Sequence, residues 1–174
     1  MVWLIGCFGG LSIQLVVGSM YQWGIINLYV TSYYRLTDDH SLTLESTAVA
    51  FPLLFIMIGL MMRLGIYLSS ISHPLIVLLA CKTLEALSMF TASFMPNIWL
   101  FILFYGIFFG IFAGICFMIP MVECNKYLVG MKMIVNGIIL IGTGSGSVVF
   151  GLFSYEYLNP TDIPHLSGYY LGNP

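Results

Sequence analysis

The stretch IWLFILFYGIFFGIFAGICFMIPMV, from Ile98 to Val122, contains no charged residue and is long enough to cross a lipid bilayer as one α-helix. Glycine recurs in it at every fourth position, at Gly106, Gly110 and Gly114. Residues four apart lie on one face of a helix, and small residues on such a face let the backbone of a second membrane helix approach closely. The stretch therefore predicts a transmembrane helix that packs tightly against a neighbour.

The composition of the whole chain points the same way. Of its 174 residues, 60% are hydrophobic and 7% are charged, whereas soluble domains contain roughly 25% charged residues. So few charges cannot cover a globular surface with polar groups. The expected fold class is all-α, a polytopic transmembrane helix bundle, because continuous apolar runs of this length are unlike the short alternating strands of a membrane β-barrel.

Five segments reach the length of about 20 largely apolar residues that a membrane span requires. The predicted spans are residues 2–30, 47–67, 75–94, 98–122 and 133–153. They make up a transmembrane bundle of residues 1–156, followed by a polar, Pro-rich tail or connector at 157–174. The loops on one side carry more lysine and arginine than those on the other, and the positive-inside rule then predicts a cytoplasmic N-terminus.

The sequence also argues against several classes of function. A net charge of −2 and the lack of a basic run give no surface for nucleic acid. The cysteines lie in or beside apolar runs without the spacing of a metal site, at Cys7, Cys81, Cys116 and Cys124. No catalytic or cofactor-binding motif is found. We therefore expect a protein that is not an enzyme and that has no cofactor and no metal site.

The first predicted span carries an unusual polar stripe. Gln14, Gly18 and Gln22 are spaced four residues apart and form one slowly turning line, with Tyr21 beside it and Asn27 further along the chain. Amide side chains that face lipid are costly, so this face is expected to point into the bundle or into a wet cavity. Two interpretations remain open: hydrogen bonding between helices, or a helix that lines the path of a solute, with these five residues as candidates for the cavity.

The third predicted span contains two charged residues, Lys82 and Glu85. At a spacing of three they share one helix face and can neutralise each other. Counted from Pro74 at about 1.5 Å per residue, they lie ~12 and ~16 Å into the helix, near the middle of the membrane. An ionisable group at this depth indicates a functional site, and the alternative is an ion pair that only fixes packing.

The fifth predicted span includes GTGSGS, residues 142–147, in which Gly142 and Gly146 share one face. Glycine-rich turns can bind phosphate, but here no strand precedes the motif and the lysine of a phosphate-binding loop is missing. We interpret these glycines as positions of close helix packing.

Two motifs resemble a known family. The stretch Gly18–Gly24, GSMYQWG, is similar to the Gly-x-x-Tyr-x-Trp-Gly signature of the oxalate/formate antiporter group, which is related to monocarboxylate transporters. Residues 126–146 resemble that group's pattern of an aromatic and a Gly-basic element leading into a glycine-rich helix. Across nearly its whole length the chain looks like the amino-terminal half of a major facilitator superfamily transporter.

The resemblance implies a function and partners. In such transporters two six-helix bundles rock about a central site, so this chain would supply one wall of a path for a small organic anion. Gln14, Tyr21 and Gln22 would then face the cavity. The expected partners are the lipid bilayer, the anion, and either the missing C-terminal helices or partner membrane subunits.

The chain departs from the family pattern in three places. The loop after the second span keeps Gly59, Arg63 and Gly65 but lacks the usual aspartate. Lys82 and Glu85 occupy positions that are normally small and apolar, and the sequence ends in the Pro-rich tail where a sixth helix is expected. We therefore keep two hypotheses: the first part of an organic anion transporter, or a degenerate, transporter-like structural subunit of a larger membrane complex.

Overall fold

The computed structural model describes residues 2–37 and 41–158, and every regular element in these two ranges is helical. The helices are α1 Val2–Val17, α2 Trp23–Thr37, α3 Leu44–Ala48, α4 Ala50–Ile71, α5 Pro74–Ala92, α6 Ile98–Ile102, α7 Phe109–Tyr127 and α8 Lys132–Leu158. Short 3-10 segments, Gly18–Gln22 and Val129–Met131, precede α2 and α8, and a π-helical segment, Leu103–Phe108, joins α6 to α7. The prediction of an all-α helical bundle is confirmed.

Four helices of the described part are long and apolar enough to cross a membrane: Leu44–Ile71, Pro74–Ala92, Ile98–Tyr127 and Lys132–Ser154. They correspond to the second to fifth predicted spans, and three of them are longer than predicted. The protein is therefore an integral, multi-pass membrane protein. Of the predicted tail, residues 157 and 158 belong to α8, and residues 159–174 lie outside the described residues.

The first predicted span, residues 2–30, is not one regular α-helix in the structure. The 3-10 turn Gly18–Gln22 divides this segment into α1, of 16 residues, and α2, of 15 residues. Glycine is a poor α-helix former, and Gly18 lies directly against the Thr143 carbonyl of α8. This contact and the low helix propensity of glycine are consistent with a local change of winding at Gly18, and the chain continues beyond it as α2.

The second and fourth spans pack backbone to backbone. The fourth span turns a line of three glycines towards α4: Gly106, Gly110 and Gly114. A Cβ atom on Gly110 would lie 3.0 Å from the Leu54 carbonyl oxygen, and one on Gly114 would lie 2.7 Å from that of Ile58. Gly65 of α4 makes the reverse contact, against the carbonyl of Ile115. Small residues on both helices thus permit the close approach that associates helices in lipid.

The first and fifth spans pack by the same device. Gly142 of α8 lies against the carbonyl of Leu11, and Gly146 lies against that of Leu15. Gly18 returns the contact against Thr143. None of these positions leaves room for a Cβ atom, so van der Waals contact between backbones holds the two helices together.

The α7 helix lies at the centre of the bundle, where it packs against α1, α4, α5 and α8. The face of α5 that turns inward carries small and polar side chains: Val77, Cys81, Glu85, Ser88 and Ala92. Each of the four cysteines meets another across a helix interface. Cys7 and Cys124 lie in one buried cluster, at the interface of α1 with α7, and Cys81 and Cys116 lie in another, at the interface of α5 with α7.

These thiol pairs give a direct test of the helix arrangement. We expect dibromobimane, a reagent that bridges two nearby thiols, to link α1 to α7 and α5 to α7 in the protein in detergent, because the two cysteines of each pair share one buried cluster. Cys124→Ser should remove the first link and leave the second. Peptide mapping by mass spectrometry reads out both links, and a bridge between Cys7 and either Cys81 or Cys116 would contradict this arrangement.

Candidate functional site

The break in the first span and the π-helical segment of the fourth meet through an aromatic stack. Trp23, the first residue of α2, stacks on Tyr105 with ring centroids 4.8 Å apart and on Phe101 with centroids 6.0 Å apart. Tyr105 belongs to the π segment and is buried. Segments of π-helix inside α-helices are rare and occur frequently at functional sites. These two irregular stretches, Gly18–Gln22 and Leu103–Phe108, therefore form one candidate site.

Two buried polar atoms at this site have no partner. The indole Nε1 of Trp23 and the amide Oε1 of Gln22 make no hydrogen bond with any described residue, although the two residues are only 3% and 4% exposed. The other end of the Gln22 amide is engaged, because Nε2 donates to the Ser147 carbonyl of α8. A buried donor or acceptor left unpaired costs about 1–3 kcal/mol, so such atoms indicate a place where a water or a ligand binds.

Gln14 is placed differently from Gln22. It is fully buried, its Nε2 donates to the Phe117 carbonyl of α7 at 2.8 Å, and its Oε1 accepts from the Thr143 hydroxyl of α8 at 3.0 Å. One amide therefore joins three helices. This geometry favours hydrogen bonding between helices over a cavity-lining role for Gln14, and Gly18, pressed against α8, is likewise in a packing position.

The remaining candidates of the first span face different neighbours. Tyr21 is exposed on one side and packs against two rings of α4: edge-on against Phe51, with centroids 6.4 Å apart, and tilted against Phe55, with centroids 5.8 Å apart. Asn27 lies further along the chain, within α2, and is half-buried. Its Oδ1 accepts a hydrogen bond from the Thr31 hydroxyl at 3.2 Å. The 3-10 turn thus directs Tyr21 to α4 and Gln22 to α8, and Asn27 lies outside this cluster.

The charged pair of the third span lies in another interface. The Nζ of Lys82 is 2.7 Å from Oε2 of Glu85, and Glu85 is on the face of α5 that packs against α7. The structure therefore does not bring Lys82 and Glu85 together with the polar stripe of the first span. In the described ranges, no group of three or more His, Cys, Asp or Glu side chains could hold a metal ion.

Sequence reasoning missed the position of Trp23 and Tyr105 at the meeting point of the two irregular segments. Trp23 was one letter of a motif, and Tyr105 lies in the uniformly apolar fourth span. The sequence offers no signal for a π-helical segment, since the stretch Leu103–Phe108 has no proline and the same composition as its surroundings. Only the ring stacking between two spans identifies these residues.

Comparison with known proteins gives one informative match. No protein-family model matches the chain, and no solved structure matches it. The apicoplast pyruvate carrier 1 of Toxoplasma gondii is 25% identical to this chain over an alignment of 207 positions, gaps included. The alignment covers 98% of this chain and 38% of the carrier. The chain thus spans little more than a third of the length of this relative. Over nearly its whole length, this multi-pass membrane protein is similar to part of a carrier of a small organic anion.

Proposed function

We propose that this chain is part of a membrane transporter of small organic anions, of the monocarboxylate or oxalate/formate type, in the major facilitator superfamily. The observation that carries the proposal is a pair of buried polar atoms, on Trp23 and Gln22, that have no hydrogen-bond partner among the described residues and lie where the first span is broken. Irregular backbone at membrane depth is tolerated where it is buried in protein or lines a cavity. Transporters place their substrates at such discontinuities.

The site has the chemistry that a monocarboxylate needs. An indole N–H is a hydrogen-bond donor only, and a carboxylate is an acceptor only, so Trp23 can donate to the anion. The Gln22 Oε1 can accept from a water or a hydroxyl that accompanies the anion. The stacked rings of Trp23, Phe101 and Tyr105 present apolar surface around the donor, and low dielectric strengthens a hydrogen bond to a charged acceptor.

The packing of the spans supports the superfamily assignment. The second span packs on the fourth and the first packs on the fifth, both through glycines set against backbone carbonyls. A two-fold axis that exchanges span one with span four and span two with span five converts each pair into the other. Each half of a major facilitator transporter is built from two inverted repeats of three helices, and that arrangement produces this exchange.

A structural subunit of a larger membrane complex is the second candidate. The placement of Gln14 favours it, because this amide is fully used in joining α1, α7 and α8. In that case the first-span stripe would serve packing alone, and the chain would need no substrate.

Substitution of Trp23 by phenylalanine in the full-length protein tests the transport proposal. The ring stack is kept and only the N–H donor is lost, and a hydrogen bond to a charged group contributes about 1.5–3 kcal/mol. We therefore expect uptake of labelled pyruvate into proteoliposomes at low substrate concentration to fall roughly tenfold or more. Gln22→Leu should also lower uptake, by removing both ends of the amide.

Trp99→Phe is the matched control, because Trp99 is the exposed tryptophan of α6 and lies outside this stack. Its uptake should equal that of the wild type. If a folded Trp23→Phe protein transported every tested anion as well as the wild type, or if the wild-type protein transported none, the structural-subunit hypothesis would be preferred.

A further inference from the structure

The glycines of α8 differ in what a side chain at each position would meet. Gly142 and Gly146 lie against backbone carbonyls of α1, whereas a Cβ atom on Gly144 would meet nothing within 4 Å. Gly151 lies against a side chain of the candidate site. A Cβ atom there would be 3.1 Å from Oε1, 3.3 Å from Nε2 and 3.5 Å from Cδ of Gln22. The whole amide group of Gln22 therefore lies over the α-carbon of Gly151.

One turn of α8, from Ser147 to Gly151, forms the seat of this amide. The Nε2 of Gln22 donates to the Ser147 carbonyl, which belongs to the residue one helical turn before Gly151. In a helix the Cα–Cβ bond tilts towards the N-terminus, so a side chain at position 151 would project back over this turn and into the amide. Glycine at position 151 thus lets Gln22 reach the Ser147 carbonyl.

The chemistry of the seat decides which end of the amide is left for a ligand. A carbonyl can only accept a hydrogen bond, so the end of the amide that pairs with Ser147 must be the NH₂ group. The seat offers no donor to the other end, because the N–H groups within a helix are used by the helix itself and the Ser147 hydroxyl donates to the Gly144 carbonyl. Among the described residues, Oε1 of Gln22 therefore stays a buried acceptor without a donor.

We propose that Gly151 is a positioning residue of the candidate site, which seats the Gln22 amide so that Oε1 is presented to an O–H donor bound there. This inference rests on the proposed function. The donor is either a hydroxyl group of the anion or a water that binds with it. A buried acceptor regains the hydrogen bond it lost to solvent only when such a donor is bound. Loss of the seat should therefore weaken binding of the substrate.

A graded pair of substitutions in the full-length protein tests this role. Gly151→Ala adds one methyl group against the amide, and Gly151→Val adds a larger side chain at the same place, so the amide should be displaced further. Loss of one hydrogen bond changes a binding constant about two- to tenfold. We expect Gly151→Val to raise the half-saturating substrate concentration for uptake into proteoliposomes by this factor, and Gly151→Ala to raise it less. Gly144→Val is the matched control and should keep the wild-type value.

The same substitutions in a Gln22→Ala background separate positioning from packing. The alanine side chain is too short to lie over Gly151, so no amide remains to be displaced. We expect Gly151→Val to raise the half-saturating concentration when Gln22 is present and to leave it unchanged in Gln22→Ala. A glycine needed only for packing would instead lower the thermal midpoint and the maximal rate in both backgrounds, at a constant half-saturating concentration, and that result would overturn the proposal. Gly151→Ala provides the same comparison if the valine variant does not fold.

Two substrates identify the source of the O–H donor, because lactate carries a hydroxyl group where pyruvate carries a carbonyl. If Gly151→Val weakens the uptake of lactate alone, the hydroxyl of the anion donates to Oε1 of Gln22. If it weakens both alike, a bound water is the donor, and either result supports the positioning role. An effect on pyruvate alone would contradict it.

The outcomes also keep this inference distinct from the transport proposal. Wild-type uptake that neither Gly151 variant alters would refute the positioning role and leave transport standing. A wild-type protein that takes up no tested anion would refute the transport proposal, on which the positioning role rests.

Discussion

Replacing Gly146 with valine is expected to disrupt the contact between α1 and α8 and to destabilise the fold of the protein strongly. The new Cβ atom would fall within van der Waals overlap of the Leu15 carbonyl oxygen and its carbon. A helix backbone cannot rotate away as a side chain can, so α1 must move as a whole. Overpacking typically costs about 1–3 kcal/mol, and here the displacement also disrupts the Gly142 and Gly18 contacts of the same interface.

Gly144→Val is the matched control for this prediction. It lies two residues away on the same helix, introduces the same β-branched residue, and its Cβ would meet nothing within 4 Å. Both variants carry the intrinsic effect of replacing glycine by valine in a helix. The difference between their thermal midpoints therefore reports the contact at Gly146 alone. We expect Gly144→Val to give the wild-type size-exclusion profile and thermal midpoint in detergent, and Gly146→Val to aggregate or to unfold at lower temperature. Equal midpoints would contradict the α1–α8 contact.

Replacing Gln14 with leucine should give the second large effect. Leucine is of similar size but forms neither the bond to the Phe117 carbonyl nor the bond from the Thr143 hydroxyl. Hydrogen bonds between membrane helices are worth about 0.6–2 kcal/mol each, and the Thr143 hydroxyl would remain buried without this partner. We expect the free energy of unfolding to fall by about 1–3 kcal/mol, as measured by steric trapping or by denaturant titration in mixed micelles.

A double-mutant cycle with Thr143→Val shows whether the loss belongs to this contact. The two side chains bond each other, so each single substitution already removes their shared hydrogen bond. The losses of unfolding free energy in Gln14→Leu and Thr143→Val should therefore sum to more than the loss in the double variant. Ser12→Ala is the control, since the Ser12 hydroxyl is exposed and bonds its own helix at the Phe8 carbonyl. Strict additivity of the two changes would argue against a coupled Gln14–Thr143 pair.

Both predictions concern the support of the candidate site rather than the site itself. The α1–α8 pair and the pair of α4 with the fourth span are close-packed through glycines, and the break at Gly18–Gln22 lies between them. Gln22 is bonded to α8, and Tyr21 packs on α4. A site held on rigid helix pairs can keep two unpartnered polar atoms buried, because the surrounding contacts carry the stability.

The sequence by itself determined the class of fold and most of the spans. Apolar length decides whether a segment crosses a membrane, and this property is local to each segment. The spacing of Gly106, Gly110 and Gly114 likewise follows from helix geometry alone, so the sequence could indicate a face for close packing. It could also place Lys82 beside Glu85, because residues three apart on a helix are neighbours in any tertiary context.

Only the tertiary structure decided which polar groups are satisfied and where the helices are irregular. Gln14 and Gln22 occupy equivalent positions in the stripe, yet one amide is bonded at both ends and the other at one. That difference depends on which carbonyl or hydroxyl a neighbouring helix presents. The same holds for the π-helical segment, the Trp23–Tyr105 stack and the Glu85 Oε1, which accepts no hydrogen bond from the described residues. Each depends on contacts between spans that are distant in the chain.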